Sequence, residues 1–316
     1  QHDGQKQHAL EPCNLNHLTL EKKHSRSPGR PGEGVRKPLG ECPSIVLLGG
    51  PLAKVLILQE SHVMSNRFDL TGKNAIVTGA TRGIGLAIVR GFAEAGANVT
   101  LCGRKQETVD AALAELGSVK DKVQGVVAHV GKSEDLETLL AEAEKKFGPV
   151  NVLVNNAGTN PYFGPILGSE DRAWDKTMDV NLKGPYILSR MVAQKMVQTG
   201  GGSILNIASV AGLQAAVYQG IYSVSKAGLI MLTKCMAREL GRQKVRVNCI
   251  CPGVIRTHLA EALWKDEARL KEFVKNKSLG RIGETEEIVG AAIYFASDAS
   301  SFTTGAALVI DGGMVI

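Results

Sequence analysis

Residues 66–316 predict an α/β fold: a doubly wound, seven-stranded parallel sheet with helices on both faces. Three observations predict it. Short apolar runs of the kind buried on both faces recur along this stretch, and amphipathic helical segments separate them. A glycine-rich turn joins the first apolar run to the first helix. Right-handed crossovers then wind the chain to both sides of one sheet.

The elements follow in order. Ala75-Ile76-Val77-Thr78 reads as the first strand and leads through the glycine turn into a helix near 83–95. Asn98–Leu101 (strand), 106–116 (helix), Val123–Ala128 (strand), 133–146 (helix) and Val150–Val154 (strand) complete the first half. Later strands fall at 203–207, 245–250 and 306–310, and helices near 171–199, 218–240, 257–275 and 284–296.

Residues 1–65 differ in composition. They hold six of the eleven prolines and five of the seven histidines, and Ser27-Pro28-Gly29-Arg30-Pro31-Gly32-Glu33-Gly34 is a loop-former cluster, so a non-globular extension is expected. The apolar stretch Ile45–Leu58 is interrupted by Gly49-Gly50-Pro51 and Lys54, and it is shorter than the roughly 20 residues a membrane span needs. It lacks the pattern of a signal peptide. Met64 directly precedes the globular part, and 1–63 is expected to lie outside the functional enzyme.

The 44% hydrophobic and 22% charged residues suit a soluble globular chain, and no basic block accompanies the net charge of +6, which argues against nucleic-acid binding. The cysteines (13, 42, 102, 235, 249 and 251) lack CxxC spacing, so no metal site is expected. They read as buried free thiols in a reducing compartment. Cys249 and Cys251 are two apart and share one face of a strand.

Thr78-Gly79-Ala80-Thr81-Arg82-Gly83-Ile84-Gly85 is the glycine turn. Gly79 permits the tight bend, Gly83 lets backbone lie against a pyrophosphate, and Gly85 lets helix and strand pack closely. Free N–H groups and the helix dipole then attract the anion. NAD sites place an acid at the end of the second strand to hold the ribose 2′-hydroxyl. Here that position reads Gly103-Arg104-Lys105. Arg104 and Lys105, with Arg82, form a cationic pocket for a 2′-phosphate, so NADP(H) is expected over NAD(H).

Tyr222-Ser223-Val224-Ser225-Lys226 opens a helical stretch, with the phenol and ammonium on one face. Ser209 lies just past the strand 203–207, at the sheet edge where α/β folds build ligand sites. Adding hydride to a carbonyl leaves an alkoxide that must take a proton. A tyrosine of pKa about 10 would need a downward shift of about three units to work near neutrality. An ammonium about 4 Å away supplies roughly that much at an effective dielectric near 20. Tyr222 is thus expected as acid or base, Ser209 as carbonyl hydrogen-bond partner, and Lys226 as the group that lowers the phenol pKa and holds the nicotinamide ribose.

Taken together these motifs resemble the short-chain dehydrogenase/reductase family in its single-domain, Rossmann-type form, across 66–316. The resemblance rests on 78–85, Asn155-Asn156-Ala157-Gly158, Asp179-Val180-Asn181, Ser209, Tyr222 and Lys226, Pro252-Gly253, and Asp311-Gly312-Gly313. It implies that Asn181 binds a water linking Lys226 to solvent. It also implies that Asn156, Ala157 and Gly158 line the cofactor, and that Pro252, Gly253, Ile255 and Thr257 follow beside the carboxamide. Asn155-Asn156 also fits a purely structural role, tying neighbouring strands. Family members often carry Asp at the end of the third strand against the adenine amine. This chain has His129-Val130, which leaves that contact open.

His129-Val130-Gly131, Asn160-Pro161 and Trp174-Asp175-Lys176-Thr177 look like the NADP-dependent carbonyl and retinol reductase branch, which acts on ketones, aldehydes and retinoids. The chain is also similar to 3-oxoacyl-carrier-protein reductases, which would use a basic surface, with Arg256, Lys265, Arg269 and Lys271 as candidates. A non-catalytic NADP-binding regulatory member is the third reading. Val254–Ser278 is expected to form a mobile lid with Leu259, Leu263 and Trp264 lining it, joined by Pro161, Tyr162, Phe163 and Leu213. A small-molecule substrate, a homo-tetramer or dimer built on 171–199 and 218–240, and a cytoplasmic location complete the expectations. The last four residues are not of the S-K-L type.

Overall fold

The computed structural model describes residues 67–275 and 277–315. The expectations for 1–65 therefore lie outside the described residues. The strands are β1 (Asn74–Val77), β2 (Asn98–Gly103), β3 (Val123–Val127), β4 (Val152–Asn155), β5 (Gly202–Ile207), β6 (Val245–Pro252) and β7 (Ala307–Ile310). They form one parallel sheet in the order β3-β2-β1-β4-β5-β6-β7. The winding reverses between β1 and β4, and in such sheets ligands bind at the strands' carboxyl ends near the reversal.

The helices are α1 (Gly83–Glu94), α2 (Gln106–Glu115), α3 (Ser133–Phe147), α4 (Asp171–Met178), α5 (Gly184–Gln198), α6 (Gly220–Leu240), α7 (Glu261–Trp264), α8 (Glu267–Val274) and α9 (Val289–Ala296). Side chains alternate across a strand, and here both faces are buried. Ala75 and Val77 of β1, with Val152 and Val154 of β4, pack into one core with Ile88 and Phe92 of α1 and Phe295 of α9. Ile76 and Leu153 point the other way, into a core with Leu136 and Leu139 of α3 and Leu188 and Val192 of α5. This explains why the strands read as continuous apolar runs.

The structure departs from the predicted helices at three places. The stretch 171–199 is interrupted by a π-helical turn over Asp179–Lys183, which carries Asn181 inward to full burial. The stretch 218–240 starts only at Gly220, because Tyr218 holds a left-handed φ of 63° that no helix accepts. The stretch 257–275 divides into the short helices α7 and α8. Of the described cysteines, Cys102, Cys249 and Cys251 are buried as expected, whereas Cys235 is exposed on α6. No helix of the described residues is long and apolar enough to cross a membrane.

A polar chain runs through the core beneath the strand ends. Asn155 Nδ2 donates to Ser189 Oγ and to Asn206 Oδ1, both at 2.8 Å, and Asn206 Nδ2 donates to Thr233 Oγ1 at 2.9 Å. Thus β4, α5, β5 and α6 are pinned by side chains with no exposure to water. Asn206→Leu keeps the volume but leaves one Asn155 donor unmet, and the expected cost is about 1–3 kcal/mol. Urea midpoints of the two proteins measure it, and an unchanged midpoint would show the network contributes nothing.

Candidate active site

A cleft of about 1050 Å³ opens along the carboxyl ends of the strands. Its floor is the glycine turn. Gly79 has φ +59°, and a Cβ there would stand 2.7 Å from the Ala157 Cα. A Cβ on Gly85 would lie 2.8 Å from the Ala80 Cα and closer still to the Asn156 amide. Only glycine fits either place. Thr78 Oγ1 accepts the Asn156 and Ala157 N–H groups at 3.1 Å, and Asn156 Nδ2 donates to the Thr78 and Gly79 carbonyls at 2.9 and 3.0 Å. Asn156 therefore lines the cleft with its amide already committed to holding the turn. Asn155 faces the core. The first turn of α1 carries no side-chain cap and no acid, so its N–H groups face the cleft without protein acceptors from a cap.

Thr81, Arg82, Gly83, Ile84 and Gly158 line the same floor, and Arg104 stands on the wall at the end of β2. Lys105 directly precedes α2, in extended conformation, and lies outside the lining. Pro252, Gly253, Ile255 and Thr257 form the opposite wall; a Cβ on Gly83 would meet the Thr257 methyl at 3.4 Å. Beyond Arg104, His129 and Lys176 also line the cleft, with Lys176 Nζ 2.9 Å from His129 Nε2. Lys176 lines the cleft although sequence reasoning quoted it in a motif without assigning it a place.

Ser209, Tyr222 and Lys226 meet at one end of the cleft. The Ser209 hydroxyl accepts the Ala211 N–H at 3.1 Å, which fixes its rotamer at the end of β5. Lys226 is buried, donates from Nζ to the Ile207 carbonyl at 2.7 Å, and lies 5.6 Å from the centroid of the Tyr222 ring. Asn181 does not line the cleft. Its Nδ2 donates to Thr159 O and Ser225 Oγ, and its Oδ1 accepts the Thr159 N–H, so its amide fastens the loop after β4 to α6.

The electrostatics differ from the sequence expectation. Burial pushes the Tyr222 phenol up to about 12, and the Ser209 side chain beside it pulls only partly the other way. Lys226 does not bring it toward neutrality, because burial also pushes the lysine down, to about 8. Burial disfavours the charged form of each group separately.

Phe163, Leu259 and Leu263 line the cleft, as expected, whereas Pro161, Tyr162, Leu213 and Trp264 do not. Tyr162 donates to the Pro165 carbonyl, and Trp264 donates to the Thr257 carbonyl and stacks under Arg256. Val217 and Met314 take part instead, brought in from a loop and from the chain end. Neither has a local sequence signal.

A family model described as Enoyl-(Acyl carrier protein) reductase matches residues 79–315. The chain is 41% identical over 253 residues to "Dehydrogenase/reductase SDR family member 4" of Oryctolagus cuniculus, covering 80% of this chain and 97% of the relative. The chain belongs to the short-chain dehydrogenase/reductase family. The Homo sapiens protein of the same name is 40% identical over 80% of this chain and 91% of its own length. The solved gluconate 5-dehydrogenase from Burkholderia cenocepacia J2315, in complex with NADP and tartrate, superposes with a TM-score of 0.75 at 35% identity, over 79% of this chain and 98% of that one. As a short-chain dehydrogenase/reductase the chain is an oxidoreductase of alcohol and carbonyl groups.

The buried lysine has a measurable consequence. Its folded value of about 8 lies below the ordinary lysine value, so from pH 8 to 10 the unfolded chain holds a proton that the folded chain has released. Stability from this group therefore rises with pH in that window, and the cost of burying the charge is fully present below it. Lys226→Met is expected to be more stable relative to the parent at pH 7 than at pH 10, by about 2 kcal/mol. Urea titrations at both pH values check this, and a difference independent of pH would contradict it.

Proposed function

We propose that this chain is an NADP(H)-dependent reductase of ketones or aldehydes, run in reverse as an alcohol dehydrogenase, with Tyr222 as the proton donor. The observation that carries the reading is the convergence of Ser209, Tyr222 and Lys226 at one end of a cleft whose floor is an uncapped helix start cradled by glycine. The fit to a dinucleotide rests on that cradle. Side chains are excluded at Gly79 and Gly85, and the α1 N–H groups suit a pyrophosphate. Arg82 and Arg104 would hold a 2′-phosphate, and the solved relative with NADP supports the same cofactor. Gly83, Ile84, Thr81, Asn156, Ala157 and Gly158 would border the diphosphate and adenosine; Pro252, Gly253, Ile255 and Thr257 would border the nicotinamide side. Lys105 would reach the phosphate only from outside the wall.

When bound, the nicotinamide ring supplies or removes the hydride. The chain's own residues handle the proton. A phenol raised to about 12 stays protonated across the physiological range, which suits an acid that protonates an alkoxide. The Ser209 hydroxyl stands where it can donate to the carbonyl oxygen and stabilise charge developing there. Lys226 spends one hydrogen on the Ile207 carbonyl and has two left for ribose hydroxyls. Asn181 would support this end by holding the loop at Thr159 against α6, with any water link to Lys226 running through backbone rather than its committed amide.

Phe163, Val217, Leu259 and Leu263 give the substrate end apolar walls suited to carbonyl compounds with hydrocarbon bodies. A carrier-protein substrate is less favoured, since Arg256 is paired with Glu284 at 3.0 Å and Lys265 with Glu261 at 3.1 Å. Those two pairs neutralise Arg256 and Lys265 of the expected basic face. Retention of the whole proton-handling set argues against a regulatory, non-catalytic role.

Tyr222→Phe is expected to lower kcat about 100- to 10,000-fold in NADPH-driven diketone reduction while NADPH still binds. Near-parental turnover would refute the mechanism. Arg104→Asp is expected to move the NADPH-over-NADH ratio of kcat/KM by about 10- to 100-fold toward NADH. An unchanged ratio would remove Arg104 from cofactor choice.

A further inference from the structure

β7 pairs with β6 up to Ile310 opposite Pro252, and the Gly253 N–H donates to the Ile310 carbonyl at 2.9 Å. The segment Asp311–Val315 therefore leaves the sheet beside the Pro252-Gly253 wall of the cleft. It turns there at once. Asp311 Oδ1 accepts the Gly313 N–H and Oδ2 the Val315 N–H, both at 2.9 Å, so one carboxylate holds the backbone that follows it. Gly312 and Gly313 take left-handed φ values of 66° and 75° within this turn. The result brings Met314 and Val315 into the cleft lining.

Further bonds tie the turn to both sides of the cleft. The Gly312 carbonyl accepts the Leu279 N–H at 3.0 Å, and the Gly313 carbonyl accepts the Ser278 hydroxyl at 3.2 Å. Ser278 and Leu279 follow Lys277, itself a lining residue. On the other side the Val315 carbonyl accepts Gln214 Nε2 at 3.5 Å. Gln214 also lines the cleft, on the loop after Ser209, where its N–H donates to the Val210 carbonyl at 3.0 Å. Met314 rests on Gly253, since a Cβ on that glycine would stand 2.9 Å from the Met314 Cε. The half-buried thioether thus occupies the gap between the wall assigned to the nicotinamide and the loop that carries Ser209.

A carbonyl group poised for reaction has to lie in that gap, with its carbon toward the nicotinamide and its oxygen toward Ser209 and Tyr222. Resting on the reductase reading above, we propose that Met314 is a specificity-determining residue that bounds the room for a substituent on the carbonyl carbon, and that Asp311 is the positioning residue that holds it there. Methionine is unbranched and adaptable, so it closes the space without fixing one substrate shape. Branching next to the carbonyl competes with it for volume, and one methylene in such a pocket shifts kcat/KM by about tenfold or more.

NADPH-driven reduction of phenyl methyl ketone and phenyl isopropyl ketone by the full chain tests this, because the two differ only in branching beside the carbonyl. The ratio of kcat/KM, isopropyl over methyl, is expected to rise about tenfold in Met314→Ala and to fall about tenfold in Met314→Phe. Met314→Leu keeps the bulk and should stay near the parental ratio. Asp311→Asn leaves one of the two N–H groups without its acceptor and should move the ratio the same way as Met314→Ala, by less, while adding nothing to it in the double variant. A ratio that stays within twofold of the parent in both Met314→Ala and Met314→Phe would overturn the inference while leaving the reductase reading intact. So would a shift in Met314→Leu as large as that in Met314→Ala. An unmoved ratio in Asp311→Asn would remove Asp311 from the positioning role. A folded parent chain that binds NADPH yet reduces neither ketone nor benzaldehyde would overturn the reductase reading and this inference with it.

Discussion

At the crossing between β1 and β4 the Gly79 and Ala157 backbones approach until a Cβ on Gly79 would stand 2.7 Å from the Ala157 Cα. Hydrogen bonds from Asn156 and Ala157 to Thr78, and from the Asn156 amide back to the turn, hold this contact closed. Everything in the cleft is positioned from it. It sets where α1 begins, which backbone N–H groups face the opening, and how far the loop after β4 stands from α6. The loop is in turn fastened by Asn181 to Ser225, one residue before Lys226. A chain of short polar contacts therefore links the glycine floor to the end of the cleft that holds Tyr222 and Lys226.

The two ends of the cleft differ in electrostatic character. At the Tyr222 end Lys226 is buried and Tyr222 half-buried, and loss of water acts on both: the phenol is held protonated and the amine is made easier to deprotonate. At the other end Arg82 and Arg104 are exposed, and Lys176 adds a further cation in contact with His129. Such a gradient favours a long ligand that is anionic in the middle and at one end, with a neutral reacting group at the other.

The strand pattern was readable because both faces of a parallel sheet are covered, which turns each strand into an uninterrupted apolar run. All seven strands stand within two residues of their expected positions. The turn glycines, Tyr222 and Lys226 were likewise readable, since a φ of +59° and an i, i+4 pairing are local requirements. Element interruptions were less legible. The π turn at Asp179–Lys183 and the left-handed Tyr218 are imposed by packing around them and leave no local mark in composition.

By itself, then, the chain's order of residues determined the layered architecture, the glycine turn and the Tyr–Lys pair, because each follows from periodicity or from a neighbour a few residues away. Tertiary structure alone decided the ionisation of Tyr222 and Lys226, the commitment of Asn156 and Asn181 to protein bonds, and the meeting of His129 with Lys176 across 47 residues. Desolvation and long-range hydrogen bonding depend on what packs around a group, and no local pattern encodes that.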